Sequence, residues 1–316
     1  GNTRVLGRGR SMSAWLSMSA WLSMSAWLSM SAFLSMSACL PGDCGKSARV
    51  CSAQTGCLGR ASVDELSGLT RGRRWPDTFW SLGDSGTPPR IYALGPDGRV
   101  RRSFLIEGVR NEDWESITSD GQGRLYIGDI GNNWSRRDDL SVLVVPEPGP
   151  QHKGDALPVL QRLRFRYPDQ QGSKARNFDA EALFSHAAKL YLLTKRREDH
   201  ATSLYRFPHT ASSAEELALE LIGTTPLGKP WKEERTLRVT GAAVAPDGRS
   251  LAVLTYEQLL IFDFSGAALK APVRRIKLSD AGQCEAVAWH GADVVFSNEK
   301  GFLFRIPAAR EHPQVF

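Results

Sequence analysis

The sequence predicts an all-β chain that forms a β-propeller of five four-stranded blades, and three observations lead to this prediction. From position 63 onward, short β-rich runs alternate with turn dipeptides, which is typical of an all-β chain rather than of βαβ units. Four segments of this region align with one another without a gap, so the chain contains an internal repeat. Each repeat combines a hairpin with further apolar runs, as an antiparallel propeller blade does.

The hairpin is the best-defined part of the repeat. Its copies begin at Glu115, Glu181, Gly241 and Glu285. In each copy, 14 positions lead from the first strand to the end of the second, with a turn such as Asp120-Gly121 between them. A fifth copy, over positions 66–84, has a longer turn.

The outer strands follow each hairpin. A third apolar run is present in every repeat, at 91–94, 141–145, 204–207, 259–262 and 302–306. A fourth run is present in all repeats but the last, at 100–106, 160–167, 217–222 and 273–278. An unpaired edge strand is a liability, so a terminal segment should close the ring, and 49–53 and 312–316 are the candidates.

The N-terminal region has a different character. Residues 11–40 are five copies of a hexapeptide, SMSAWL and close variants, that end in Ser37-Ala38-Cys39. This uncharged stretch behind several arginines is typical of an export segment and is similar to a lipoprotein signal, with Cys39 as the acylated residue. A membrane-spanning helix and an expanded DNA repeat without a selected fold are the alternatives. We therefore divide the chain into a signal- or anchor-like segment (1–40), a Cys-containing linker or ring-closing strand (41–62) and the propeller (63–316).

Charge and cysteine content exclude some functions. A net charge of +6 over 316 residues produces only a weak positive electrostatic field around the protein. Since the sequence also contains no nucleic-acid-binding motif, we expect no nucleic-acid partner. The arginine runs, 71–74 among them, are interpreted as solvated loop charges. The five cysteines form no CxxC pair, which argues against structural zinc. In an exported protein, one disulfide among Cys44, Cys51 and Cys57 and a free, buried Cys284 are expected.

Several strings carry a family resemblance: ELSGL at 65–69, LGDSG at 82–86, DWESI at 113–117, YIGDIGNN at 126–133 and DAEAL at 179–183. They resemble the bacterial propellers grouped as SdiA-regulated and esterase-like phytase proteins, and the resemblance covers about residues 63–306. It implies an extracytoplasmic propeller and calcium as the candidate cofactor, while activity has to be argued from the site itself.

The repeated positions also predict a site, because the innermost strands of a propeller line its central channel. The predicted channel and ligand-binding residues are Asp84, Glu115, Asp129, Glu181, Lys195, Glu285 and Glu299. Crowded carboxylates raise one another's pKa unless a cation compensates them, and calcium prefers carboxylate oxygens. The predicted calcium ligands are Glu115, Asp129, Glu181 and Glu299.

We therefore expect an exported propeller, lipid-anchored or secreted, that binds a small-molecule ligand or a protein partner. Its acidic channel is a candidate calcium site, and the N-terminus is a candidate membrane attachment. Because paired carboxylates serve as acid and base or nucleophile, a calcium-dependent hydrolase of a phosphoester, lactone or glycoside is one alternative. A purely structural interaction scaffold is the other. The sequence identifies no catalytic residue.

Overall fold

The computed structural model describes residues 56–173, 175–209, 215–228, 237–278 and 281–311. All of them belong to the compact unit Cys39–Phe316. The hexapeptide run, with Cys39, lies outside the described residues, so the predictions made for it stay predictions. Within the described ranges, no helix has the length and apolar character that a bilayer crossing requires.

The described part of the chain forms 22 β-strands in five sheets. The strands are β1 (Gly56–Arg60), β2 (Leu66–Arg71), β3 (Phe79–Gly83), β4 (Arg90–Leu94), β5 (Val100–Ile106), β6 (Trp114–Ser119), β7 (Arg124–Asp129), β8 (Ser141–Pro146), β9 (Ala156–Leu157), β10 (Gln161–Arg166), β11 (Ala180–His186), β12 (Lys189–Thr194), β13 (Ala201–Arg206), β14 (Leu217–Ala218), β15 (Glu220–Pro226), β16 (Val239–Val244), β17 (Ser250–Thr255), β18 (Gln258–Asp263), β19 (Arg274–Lys277), β20 (Cys284–His290), β21 (Asp293–Asn298) and β22 (Phe302–Ile306).

Each sheet is one blade, a meander of four antiparallel strands. In order along the chain, the blades are β2-β3-β4-β5, β6-β7-β8-β10, β11-β12-β13-β15, β16-β17-β18-β19 and β20-β21-β22-β1. The predicted five-bladed propeller is confirmed. Two short strands depart from the prediction, because β9 and β14 pair in parallel with β5 and β10, the outer strands of the preceding blades. The predicted strand over 217–222 is therefore divided between β14 of the second sheet and β15 of the third.

The five inner strands form a closed ring. β2 contacts β6, β6 contacts β11, β11 contacts β16, β16 contacts β20, and β20 contacts β2 again. Neighbouring inner strands pack closely, because a Cβ on Gly68 would lie 3.0 Å from the backbone nitrogen of Ile117 on the next inner strand.

The N-terminal strand β1 closes the ring. It pairs antiparallel with β22, with Cys57 opposite Phe304 and Arg60 opposite Phe302, so it supplies the fourth strand of the last blade. This strand follows the first predicted candidate, 49–53, which lies outside the described residues, as does 312–316. Cys57 is disulfide-bonded, and Cys284 is free and buried, as predicted.

Five apolar cores lie between neighbouring blades, rather than one in the middle. Because strand side chains alternate, Phe79 packs against the last blade while its neighbour Trp80 packs against the second. Likewise, Tyr126 faces the third blade and Ile127 faces the first. Burying one such side chain contributes about 1.5–3 kcal/mol, so the blades hold each other in place. That stability fixes the ends of the inner strands, where the polar side chains gather.

Candidate functional site

A β-bulge at the start of every inner strand creates the site. The antiparallel register between the first two strands shifts by one residue in each blade, at Ser67, Glu115, Glu181, Thr240 and Glu285. A bulge inserts one extra residue and re-aims its side chain, and four of the five bulge residues, Ser67, Glu115, Glu181 and Glu285, line one cavity at this end of the channel. In the fourth blade the bulge lies at Thr240, one residue before the Gly241 that opens the predicted repeat.

A second ring of residues lies one position beyond the end of each second strand. Its members are Asp84, Ile130, Lys195, Tyr256 and Glu299. The amide of Asp84 donates to the carbonyl of Glu65 at 2.8 Å, and that of Lys195 donates to the carbonyl of Asp179 at 2.6 Å. These backbone bonds hold the second ring beside the residues that precede each bulge.

Most residues of the two rings line a small acidic cavity of about 130 Å³. It is lined by Glu65, Leu66, Ser67, Asp84, Glu115, Asn133, Glu181, Lys195, Tyr256, Gln283, Glu285 and Glu299. Six of these residues are carboxylic acids and one is a lysine. Negative charge in this partly enclosed space exceeds positive charge, so the cavity attracts protons or cations.

Lys195 is the one cation of the lining, and it is buried. Its ammonium group lies 2.6 Å from a carboxylate oxygen of Glu181 and 4.9 Å from the ring centroid of Tyr256. Burial is the largest single influence and opposes its charge, but Glu181, Tyr256, Glu115 and Asp179 together outweigh burial, and the net effect raises the pKa of Lys195. Burial raises the pKa of Glu181 to about 8 against the opposing charge of Lys195, and Asp179 adds to this increase. One lysine therefore does not compensate the carboxylates around it.

Glu115 is the most strongly perturbed carboxyl group of the cavity. It is 4% exposed, and the hydroxyl of Ser67 donates to its Oε2 at 2.9 Å. Burial first, and then the charges of Glu181 and Asp84, raise its pKa well above the ordinary value. Burial also raises the pKa of Glu285 to about 7, although Gln283 donates a hydrogen bond to it.

Two of these acids, Asp84 and Glu115, form a compact oxygen cluster with Asp113, which is not part of the cavity lining. One carboxylate oxygen each of Asp84, Asp113 and Glu115 lies within 4.8 Å of the others. Burial and the charge of Asp84 raise the pKa of Asp113 to about 7. Oxygens at this spacing fit the coordination sphere of a hard divalent cation, whose ligand distances are about 2.3–2.6 Å for calcium.

The structure brings six of the seven predicted channel residues to the acidic cavity, namely Asp84, Glu115, Glu181, Lys195, Glu285 and Glu299. Asp129 is placed differently, as it lies beside Arg137, whose Nη2 donates to it at 2.9 Å, and lines a separate surface cavity. Turn length is the reason: five residues separate the paired residues Ser119 and Leu125, against four between Ser185 and Leu190 of the next blade. The extra residue moves Asp129 out of register with Lys195.

The predicted calcium ligands are likewise rearranged. Glu115 belongs to the compact oxygen cluster, whereas Glu181 is engaged by Lys195 and Glu299 is exposed. Asp113, which sequence reasoning did not single out as a ligand, takes the place predicted for Asp129. A signal for it was present, because Asp113-Trp-Glu115 and Asp179-Ala-Glu181 repeat the same spacing of acids.

Asp179 was also missed, although it is fully buried next to the site. It accepts a hydrogen bond from the amide of Asn132 at 2.7 Å and pairs with Arg197 at 2.7 Å. The loop after β7 is thereby tied to the third blade, and its Asn133 reaches the acidic cavity. Such long-range partners have no signature in a single sequence.

Comparison with known proteins yields structural neighbours only. No family model and no curated protein matches the chain. The PQQ-bound aldose sugar dehydrogenase of Streptomyces coelicolor is 11% identical, with a TM-score of 0.47 over 80% of this chain and 97% of that one. Virginiamycin B lyase of Staphylococcus aureus is 16% identical, with a TM-score of 0.38 over 76% of this chain and 65% of that one. A luciferin-regenerating enzyme is 11% identical, with a TM-score of 0.42 over 79% and 92% of the respective chains. The five-bladed ring itself rests on the strand pairing described above.

Proposed function

We propose that this propeller binds a divalent cation, with calcium as the first candidate, at Asp84, Asp113 and Glu115. We further propose that the ring, stabilised by this cation, binds a ligand or a partner. The observation that carries the proposal is the approach of three carboxylate oxygens to within 4.8 Å of one another. Such an arrangement is repulsive without protons or a cation, and calcium completes its six to eight ligands with further carboxylates, carbonyls or water.

The size of the acidic cavity favours an ion over an organic substrate. Its volume of about 130 Å³ is well below the roughly 300–1,000 Å³ of pockets that hold small molecules. Glu115 and Glu181 are also almost fully buried, which leaves little room for a substrate to reach them. These features support a cation with a few waters at this end of the channel.

A calcium-dependent hydrolase is the alternative that a specific observation favours. Burial raises the pKa of Glu285 to about 7, the range suited to a general acid or base at neutral pH. Phosphoester, lactone and glycoside substrates can be assayed with wild type and a Glu285→Gln variant. Turnover that Glu285→Gln abolishes, with cation binding retained, would favour the hydrolase over a binding role.

We further propose that the protein is extracytoplasmic, with lipid attachment at Cys39, and that it is related to the SdiA-regulated and esterase-like phytase propellers. The disulfide at Cys57 supports the location, because disulfides persist in oxidising compartments. Palmitate-analogue labelling of cells tests the anchor, and equal labelling of a Cys39→Ala variant would exclude acylation at this position.

Titration calorimetry tests the cation site directly. After treatment with a chelator, wild type should bind calcium, whereas Asp113→Asn and Glu115→Gln should each weaken binding by about tenfold or more, since each removes a charged ligand. Glu112→Gln is the matched control, because Glu112 is an exposed neighbour of the same charge. Calcium binding unchanged in both site variants would contradict the proposal, and no binding by wild type would favour the scaffold interpretation.

A further inference from the structure

The opposite end of the channel holds a second, larger cavity. Four inner strands, β2, β6, β11 and β20, begin at the acidic cavity, and all five inner strands end at this one; from Ser67 to Arg71 of β2 the distance is about 13 Å. The second cavity has a volume of about 620 Å³, within the range of pockets that hold small organic molecules. It differs from the acidic cavity in charge as well as in size.

The charge of this second cavity is positive. Its charged lining residues are Arg71, Arg73 and Asp120. Asp120 is already compensated, because its Oδ2 lies 2.6 Å from Nε of Arg124 and its Oδ1 accepts the amide of Gln122 at 2.7 Å. Within the described ranges, the guanidinium groups of Arg71 and Arg73 form no ion pair and no hydrogen bond. Two uncompensated cations thus border a cavity with no free carboxylate.

The loop that carries these arginines is held in place by a buried carboxylate from the next blade. Glu147, directly after β8, is fully buried, and its Oε1 accepts the amides of Arg73 at 2.6 Å and Arg74 at 3.1 Å. The same oxygen accepts the indole N–H of Trp80 at 3.0 Å. A buried carboxylate with three N–H donors fixes the loop before any ligand arrives, which reduces the ordering cost of binding.

The rest of the lining combines apolar side chains with threonine and serine hydroxyl groups. Its apolar part includes Leu69, Ile117, Trp289 and the segment 242–245. The one histidine, His186, is partly buried, which lowers its pKa and keeps its ring neutral at neutral pH. A ligand that fits has an apolar or aromatic body and one anionic group.

We propose that this second cavity binds a small organic anion, a molecule with an apolar body and a phosphate or carboxylate group, which Arg71 and Arg73 hold at the rim. Guanidinium groups pair with both oxyanions through two parallel N–H donors. The inference does not depend on the cation site, since the two cavities lie at opposite ends of the channel and share no lining residue.

Calorimetric titration with phenyl phosphate, benzoate and inorganic phosphate tests this inference. Wild type should bind phenyl phosphate or benzoate more tightly than inorganic phosphate, because only the first two fill the apolar lining. Arg71→Gln and Arg73→Gln should each weaken that binding by about tenfold or more, as expected for the loss of a hydrogen bond to a charged group. Arg164→Gln, on the exposed face of β10, is the matched control and should bind as wild type does.

Two results would overturn the inference: absence of binding of all three anions by wild type, or equal binding by both arginine variants and wild type. Inorganic phosphate binding as tightly as phenyl phosphate would also count against it, because the apolar lining would then play no part. Circular dichroism and melting temperature separate loss of the site from loss of the fold. Calcium binding measured on the same arginine variants should be unchanged, which keeps failure here distinct from failure of the cation site.

Discussion

At the scale of single residues, the site is a problem of unbalanced charge. Burial is the main reason that the pKa values of Asp113, in the compact oxygen cluster, and of Glu181 and Glu285, in the acidic cavity, are raised. Of these three acids, only Glu181 forms an ion pair with Lys195. The carboxylate repeats were visible in the sequence because the first-strand copies align. The one-residue shift that places Asp129 outside the acidic cavity, and leaves Asp113 beside Glu115, was not visible in the sequence. It depends on turn length and a bulge rather than on residue type.

Replacing Lys195 with methionine should destabilise the fold in a pH-dependent way. Well above pH 8 the variant must either bury an unpaired Glu181 carboxylate or keep that group protonated, since the loss of Lys195 raises the pKa of Glu181 further, and we expect a loss of up to about 3–5 kcal/mol in the free energy of unfolding. Near pH 5 Glu181 is protonated, because its pKa is raised to about 8, and the loss should be much smaller. Urea denaturation at both pH values measures the difference.

Lys189→Met provides the control for this prediction, because Lys189 lies on the same strand, β12, and is exposed. It should cost little at either pH. An equal loss for Lys195→Met at both pH values would show that packing rather than charge accounts for the role of Lys195.

At the scale of elements, loops and edge strands were harder to predict than hairpins. The β2–β3 turn was recognised as long, but its arginines were interpreted as solvated charges, because its anchor, Glu147, is 67 positions from Trp80. The closing strand β1 was expected within 41–62, yet its sequence, GCLGR, has too little β-propensity to mark its bounds.

Removing the anchor of the β2–β3 loop should make that loop a protease site. Glu147→Ala leaves three N–H donors without their acceptor, so trypsin should cleave after Arg73 and Arg74 faster than in wild type. Mass spectrometry of the early fragments locates the cut. Glu107→Ala, an exposed acid of the first blade, should leave the cleavage rate unchanged. Equal rates for Glu147→Ala and wild type would contradict the assigned role of Glu147.

The closing strand should depend on its disulfide. Cys57→Ser should lower the free energy of unfolding by about 2–4 kcal/mol, as the loss of a native disulfide does, and a reductant should have the same effect on wild type. The reductant should leave the melting temperature of Cys57→Ser unchanged. A further decrease in that variant would show that another cysteine accounts for the effect.

At the scale of the whole molecule, the fold class and blade count followed from the repeat, because hairpins with matching turns are local features. The convergence of side chains on one axis also followed, since it is a property of the ring. The chemical difference between the two ends of the channel did not, because it arises from contacts between blades that only the structure provides.

Stability of the metal-free propeller should decrease as pH rises. Asp113, Glu181 and Glu285 have folded-state pKa values of about 7, 8 and 7, above their ordinary values, so the folded state retains protons that the unfolded state has released. Their stabilisation is complete below the ordinary pKa values and is lost as pH rises to about 8, with a slope of up to about 1.4 kcal/mol per pH unit for each proton. Saturating calcium should flatten this dependence, which calorimetric melting curves with and without chelator would measure. A flat profile without calcium would contradict the charge assignment.

The proposal that the compact oxygen cluster binds a divalent cation is tested most directly by the anomalous scattering of crystals soaked in a manganese salt. Manganese shares the preference of calcium for oxygen ligands, so it reports on the same site. We expect one strong anomalous peak within coordination distance of oxygens from Asp84, Asp113 and Glu115, absent in a Glu115→Gln crystal soaked in the same way. If wild-type crystals show no anomalous peak in the acidic cavity while these three side chains are ordered as described, the proposal of a cation site is contradicted.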